Sequence, residues 1–369
     1  MSVNHNNVAA GIAIQVLPTN LVGPTGAGKT ASVRSLMEGL GRRFLHLNVA
    51  THVAEDFAGY PNPDYQAGVV RMMAPSWVLD AADGNAGILF DEITCGSGAA
   101  LAGALTCLSD RMVGEYRLPD TTIMVAACNP PELAPNSAPL PASIRSRFAH
   151  FDWQIDAEQV RAGFRAGCHW DTPAWPVVPA GWQDNLPYYG SLVSQFLTAH
   201  SDLMSDMPKD DDVRSFPTPR TWHFLVRGMA AAKACGHHDK SSVHKEMAGA
   251  CVGTVAGPQF MKFIATLDLI DPASILDGSA EYEYTDRVDL NICLVTSLVS
   301  HLRSRPGDDA EDRWLRAAEV FCTLVDNGEI ETVLLAFKSL WNDTKNNGVR
   351  PLGFVPPADV QSRLTRAFA

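Results

Sequence analysis

The run Gly23-Pro24-Thr25-Gly26-Ala27-Gly28-Lys29-Thr30 constrains this chain more than any other segment. It satisfies GxxxxGK[ST] without a gap, and its surroundings suit it. A short apolar run, Asn20–Val22, precedes it. Behind it Val33, Leu36, Met37 and Leu40 recur at i, i+3, i+4 and i+7, the spacing of an amphipathic helix. Strand, glycine-rich loop and helix in that order make a phosphate cradle. The glycines let successive backbone N–H groups turn inward at the positive end of the helix. Lys29 then reaches the β- and γ-phosphates, and the Thr30 hydroxyl ligates Mg²⁺. Gly23, Pro24, Thr25, Gly26, Ala27, Gly28, Lys29 and Thr30 are therefore the expected nucleotide-binding residues.

A second segment, Gly87-Ile88-Leu89-Phe90-Asp91-Glu92, is an apolar run ending in two carboxylates. In open α/β sheets ligands sit at the carboxyl ends of the strands, where such a pair would be delivered. Asp91 is expected to hold the Mg²⁺ shell through water, and Glu92 to polarise the attacking water as general base. A third apolar run, Thr122–Cys128, ends in Asn129-Pro130-Pro131. The Asn129 amide at that tip would orient the water and touch the γ-phosphate. No NKxD-type guanine-reading segment occurs, so the expected nucleotide is ATP.

The first 150 or so residues alternate short apolar runs with helical patterns, as in an α/β layer with a mostly parallel sheet. Expected strands are Asn20–Val22, Phe44–Asn48, Gly87–Phe90 and Thr122–Cys128. The character changes near Asp152. Between His169 and Gly190 the chain is rich in Pro, Trp and Tyr, as befits an irregular connector. Beyond it three helical stripes follow: Leu290, Leu294, Val295, Leu298 and Leu302; Trp314, Ala317, Ala318, Phe321 and Val325; Val333, Leu334, Phe337 and Trp341. The expected organisation is an α/β nucleotide-binding core at 1–155, a connector at 156–190, a helical lid at 191–275 and a helical extension at 276–369.

Composition narrows the classes further. With 41 acidic against 29 basic residues and a formal charge of −12, the chain is a poor general binder of nucleic acid or anionic membrane. No apolar run approaches the roughly 18 residues of a transmembrane helix. No Lys or Arg precedes Lys29, unlike the start of a signal peptide. The eight cysteines are scattered without a CxxC pair, as expected of thiols in a reducing compartment. A cytoplasmic protein is the expectation.

Taken together, the motifs resemble those of the AAA+ ATPases, and within them the MoxR-like branch of ring-forming chaperone ATPases. The likeness is carried by GPTGAGKT at 23–30, EDFAGYP at 55–61, GILFDEIT at 87–94, AACNPPE at 126–132, SIRSRF at 143–148 and PTPRTW at 217–222. It spans roughly residues 15–270. The resemblance implies a P-loop core with a parallel sheet flanked by helices, then an all-α lid and a helical C-terminal extension. It places Asn129 as the sensor-1 amide and Arg220 as the sensor-2 arginine of the lid. Arg147 matches the arginine finger supplied to a neighbouring subunit, with Arg145 as its rival. A guanidinium suits both jobs because it stabilises charge on transferring phosphoryl oxygens.

A finger acting in trans implies a closed ring, by resemblance a hexamer, with Mg²⁺ and ATP at each junction. The implied client is a protein with a von Willebrand factor A-type domain. Phe57–Met72 resembles the extra hairpin of this branch, and Asp110–Pro119 reads as a hairpin turning at Gly114. Each is either a working loop or a plain structural hairpin. Only 22 residues precede Gly23, so the N-terminal segment that usually helps enclose the base in such proteins is short here, and Asn6–Val16 could supply some of the adenine contacts.

Cys235, His237, His238 and His244 lack the spacing of a zinc site. Trp170, Trp175 and Trp182, interleaved with Pro173, Pro176 and Pro179, are expected to pack the connector on the core rather than dock a partner. Asp210–Asp212 reads as a solvated loop. An ATP-driven nucleic-acid motor is the alternative class, and it needs a basic, aromatic pore. The hairpins offer Arg71, Arg111 and Arg117 for this, but also Asp64, Asp110 and Glu115. A nucleotide-gated scaffold without brisk turnover is a third class, which Glu92 argues against.

Overall fold

Residues 5–133, 139–168, 174–210, 213–267, 270, 272–304, 309–334, 358 and 362–363 are described by a computed structural model of the chain. Its strands are β1 (Thr19–Val22), β2 (Arg43–Asn48), β3 (Tyr60–Asp64), β4 (Val69–Met73), β5 (Ala86–Asp91), β6 (Met112–Val113), β7 (Tyr116–Arg117), β8 (Ile123–Cys128) and β9 (Ala149–Asp152). Its helices begin with α1 (His5–Ile14), α2 (Lys29–Gly39), α3 (Glu55–Ala58), α4 (Ser76–Asp80), α5 (Gly98–Asp110), α6 (Ala142–Arg145) and α7 (Ala157–Arg165). They continue with α8 (Leu186–Ala199), α9 (Pro219–Ala234), α10 (Ser242–Thr266), α11 (Pro272–Asp277), α12 (Val288–Ser304) and α13 (Ala310–Asp326).

Five strands form one parallel sheet in the order β2-β5-β8-β1-β9. The four anticipated strands are present. The fifth, β9, was not foreseen, because Ala149-His150-Phe151-Asp152 is too short and mixed to read as a strand. Its residues pair in register with Thr19–Val22. Every residue of β1 and β8 is buried, which is why those segments read as continuous apolar runs rather than alternating ones.

Helix α2 buries Val33, Leu36 and Met37 on the expected stripe. Gly87 lies opposite Met37, and a Cβ there would sit 2.1 Å from its sulfur. The glycine in β5 thus lets helix and sheet close together. Both expected hairpins form: β3 pairs antiparallel with β4, and β6 with β7 around Gly114 at φ 58°. They touch, since the Met72 N–H donates to Glu115 at 3.3 Å. None of the eight cysteines is in a disulfide. Among the described residues no helix is long and apolar enough to cross a membrane.

The chain forms two compact units, one of residues 1–179 with 202–261 and one of 180–201 with 262–369. The stretch anticipated as the lid, 191–275, is shared between them. In the first unit, α9 carries a capping box in which Thr218 and Thr221 satisfy one another's backbone N–H groups. Helix α10 breaks at Gly253, whose φ of 88° no other residue adopts easily. The connector packs on the core here: the Trp175 ring lies tilted against Trp153 with centroids 6.3 Å apart, and Gln15 donates to the Pro176 carbonyl at 2.8 Å. Trp170 and Pro173 lie outside the described residues.

The second unit is helical. Leu294, Val295, Leu298 and Leu302 of α12 meet Trp314, Ala317, Ala318 and Phe321 of α13 in one core, joined by Val333. These are two of the anticipated stripes. Of the third, Phe337 and Trp341 lie outside the described residues.

Candidate functional site

The loop 23–30 joins β1 to α2 with Gly26 at φ 75° and Gly28 at φ 82°, the left-handed turns that its glycines permit. Gly23 is needed for a different reason. A Cβ on it would lie 2.7 Å from the Trp153 carbonyl oxygen, a backbone atom that cannot step aside. The Trp153 indole N–H in turn donates to the Ala27 carbonyl at 3.1 Å, so the residues after β9 brace the loop at both ends.

Lys29 opens α2 and is only 8% exposed. Its ammonium donates to the carbonyls of Gly23 at 2.6 Å and Pro24 at 3.0 Å, and to Asn129 Oδ1 at 3.0 Å. Burial lowers its pKa, while the charges of Cys128, Asp91 and Glu92 oppose that shift. The Asn129 amide passes the connection on, with Nδ2 3.3 Å from both carboxylate oxygens of Glu92. Lys29, Asn129 and Glu92 therefore form one hydrogen-bonded chain from phosphate loop to proposed base.

Asp91 faces the other way. Its Oδ2 accepts from the Thr30 hydroxyl at 2.8 Å and lies 2.9 Å from His46 Nε2. Neighbours on a strand normally point to opposite faces. Here Glu92 leaves the strand in the left-handed region, at φ 54° and ψ 38°. That conformation costs on the order of 1–3 kcal/mol in a residue with a side chain. Its effect is to turn the second carboxylate back to Asn129 and to let both carboxylates serve one site.

A hydroxyl and a carboxylate 2.8 Å apart at the edge of the loop form an all-oxygen donor set. Hard oxygen ligands with room for water suit Mg²⁺, which is held by few protein groups and keeps much of its hydration. Thr30 and Asp91 thus fit the metal expected of them. His46 was not foreseen; the sheet register pairs it with Leu89, two residues before Asp91 and on the same face of β5, and no local spacing signals that placement.

The three arginines are not brought to this group. Arg145 is 3% exposed, and its guanidinium donates to the carbonyls of Asp210 at 3.2 Å and Val213 at 2.5 Å, over the ring of Phe216. It is bound up inside its own chain. Arg147 is half-buried, bonded to Ser109 and to the Ser143 carbonyl. Arg220, at the start of α9, is exposed and donates to Ser146 Oγ at 3.3 Å, next to Arg147 rather than to the phosphate loop.

A polar string crosses the sheet below the site. Cys128, Asn20 and His150 lie on adjacent strands, with Asn20 Nδ2 3.1 Å from His150 Nδ1 and 3.6 Å from the Cys128 sulfur. His150 Nε2 is 2.8 Å from the Arg145 carbonyl, so that nitrogen carries the proton. Burial pushes the imidazole down from its ordinary 6.5 to about 4. Since the folded value lies below the unfolded one, the stabilisation is fully present above 6.5 and is lost as pH falls towards 4. It amounts to on the order of 3 kcal/mol for this group. An NMR titration should find the His150 ring neutral down to about pH 5; a midpoint near 6.5 would show that the ring is not enclosed.

Elsewhere, Cys235 donates to the Val177 carbonyl at 3.8 Å, and His244 is buried against Ser241 at 2.9 Å. The segment Asn6–Val16 lies mostly in α1, where Asn7 donates to the Gln154 carbonyl at 3.0 Å, just after the tryptophan that braces the loop.

Comparison with known proteins adds little to this geometry. No family model matches the chain. No curated protein matches it either. A crystal structure from Cytophaga hutchinsonii, named provisionally as an ATPase, is similar over 72% of this chain and 89% of its own. The identity is 16% and the TM-score 0.44, too loose a likeness to bear on activity. The functional reading rests on the residues themselves.

Proposed function

We propose that the chain is a Mg²⁺-dependent ATPase of the AAA+ type, close to the MoxR-like branch. The observation that carries this is the joint arrangement at the loop: Thr30 on Asp91 at 2.8 Å, and Lys29 linked through Asn129 to Glu92. A phosphate-binding turn alone needs neither a base nor a metal carboxylate. In this reading the loop amides and Lys29 bind the phosphates, Thr30 and Asp91 hold Mg²⁺, and Glu92 accepts the proton of a water that Asn129 orients. When bound, Mg²⁺ supplies charge neutralisation to the phosphoryl oxygens.

The working form we propose is a homo-oligomeric ring, with a hexamer as the expectation, remodelling a client protein such as one with a von Willebrand factor A-type domain. Arg147 is the proposed finger. Its greater exposure favours Arg147 over Arg145, whose guanidinium is buried against two carbonyls of its own chain. The lid and C-terminal extension remain part of this proposal. A nucleic-acid motor is disfavoured by the hairpin charges. Arg71 is paired with Asp64 at 3.2 Å and Arg117 with Asp120 at 3.2 Å, which leaves little net positive field for a phosphate backbone.

The test is ATP turnover with Mg²⁺ alongside mass by light scattering. The wild type should hydrolyse ATP and gain mass with MgATP. Arg147→Ala should keep nucleotide binding and lose about 10³-fold of turnover, as expected for a finger. Mixing it with an excess of Glu92→Gln subunits should restore some turnover, because each variant supplies what the other lacks. No rescue in mixtures would remove the trans-acting finger.

A further inference from the structure

We propose, on the ATPase reading above, that His46 is a positioning residue for the metal. It occupies Asp91 Oδ2, so that this carboxylate holds the ion through water rather than as a direct ligand. No sequence motif marks a histidine for this task.

Each oxygen of an ionised carboxylate accepts about two hydrogen bonds and donates none. Asp91 Oδ2 accepts from the Thr30 hydroxyl at 2.8 Å and lies 2.9 Å from His46 Nε2, which is therefore the donor. Asp91 Oδ1 accepts from the Glu92 backbone N–H at 3.1 Å. The protein thus fills both acceptor positions of Oδ2 and leaves one on Oδ1 for a water. A carboxylate filled and fixed in this way suits an ion that keeps its waters in a strict octahedron, as Mg²⁺ does. It suits Ca²⁺ less, because Ca²⁺ takes carboxylates directly and in flexible geometry.

The imidazole that does this is itself held. His46 and Phe44 share one face of β2, with their rings stacked at a centroid distance of 6.2 Å and an angle of 12°. The Arg34 guanidinium lies over the Phe44 ring at 4.5 Å. Arg34 stands one turn beyond Thr30 on α2. The contacts therefore close a ring, from Thr30 to Asp91, His46, Phe44, Arg34 and back along the helix. An exposed charged contact is weakened by the entropy of ordering both side chains. Here the His46 side chain is 38% exposed but already ordered by Phe44, and that of Asp91 is only 15% exposed. A tie between the two strands is not what the contact adds, since the backbone ladder from Arg43 to Asn48 already joins β2 to β5.

The experiment measures ATP affinity by calorimetry without metal, with Mg²⁺ and with Ca²⁺, on Glu92→Gln as parent so that ATP survives. The quantity read is the gain in ATP affinity that each metal confers. His46→Leu should lose about tenfold of the gain from Mg²⁺, and keep both the metal-free affinity and most of the gain from Ca²⁺. His46→Gln, whose amide nitrogen reaches as far as Nε2, should recover most of that loss. His46→Asn, whose amide reaches only as far as Nδ1, should not. A residue that merely supported the fold would lower ATP affinity alike with and without metal. That result, an unchanged gain from Mg²⁺, equal losses for the two metals, or like behaviour of the Gln and Asn variants would overturn the role of His46 while leaving the ATPase reading intact. A parent that binds no ATP, or gains nothing from Mg²⁺, would overturn both.

Discussion

Glu92→Gln is expected to bind MgATP about as tightly as the wild type and to hydrolyse it about 10²–10⁴-fold more slowly. The substitution is nearly isosteric, and the Asn129 amide 3.3 Å away can still donate to the new side-chain oxygen. Lys29 keeps its own contact with Asn129, so the phosphate side of the site is unchanged. Only the ability to accept a proton is lost. The left-handed backbone at residue 92 is as costly for Gln as for Glu, so the melting temperature should stay close to that of the parent. Single-turnover hydrolysis and equilibrium binding separate the two effects. Turnover within a few-fold of wild type would mean that another group takes the proton, and the assignment of Glu92 would fail.

Lys29→Met is expected to weaken ATP binding by about two orders of magnitude or more, and yet not to lower the stability of the nucleotide-free protein. The two signs have one cause. The ammonium is almost wholly buried, and that burial disfavours its charge, as the lowered pKa records. Without a phosphate the lysine is an ionic group held partly against its solvation, which an apolar chain of similar length avoids. With a phosphate it is the central cation of the site. Thermal melting with and without MgATP reads both effects. The wild type should gain stability from the nucleotide and the variant should not. A variant that melts well below the wild type before any nucleotide is added would show that Lys29 is a structural residue first.

The sheet and the site were unequally legible in the sequence. Strands β1, β2, β5 and β8 announced themselves, because strands buried on both faces of a parallel sheet must be apolar at nearly every position. Strand β9 did not, since its histidine is made compatible with burial only by Asn20 across the register and by the Arg145 carbonyl. The residues of the loop, Asp91, Glu92 and Asn129 were all found by motif and position. What was not found was His46 on Asp91, Trp153 on the loop, and Arg214 on Asp152. Each of these is a contact between segments far apart in the chain, and no local spacing encodes it.

The arginines make the same point in reverse. As sequence, Arg145 and Arg147 are interchangeable, two cations around one serine. In the fold one is 3% exposed and ties α6 to the carbonyls of Asp210 and Val213, while the other stays half-buried at the surface. Their difference is set by which side of a short helix end faces the packed strap.

The sequence by itself determined the phosphate loop, the carboxylate pair and the parallel sheet that presents them. Those features depend on local backbone freedom, on side-chain chemistry and on the apolarity of buried strands, all of which are written in short segments. The tertiary structure alone decided that Asp91 and Glu92 share one site despite the strand's alternation, and that Lys29 reaches Glu92 through Asn129. It also decided which cations are enclosed and which are presented. Those outcomes depend on register and on packing between distant segments, where a shift of one residue sends a side chain to the opposite face.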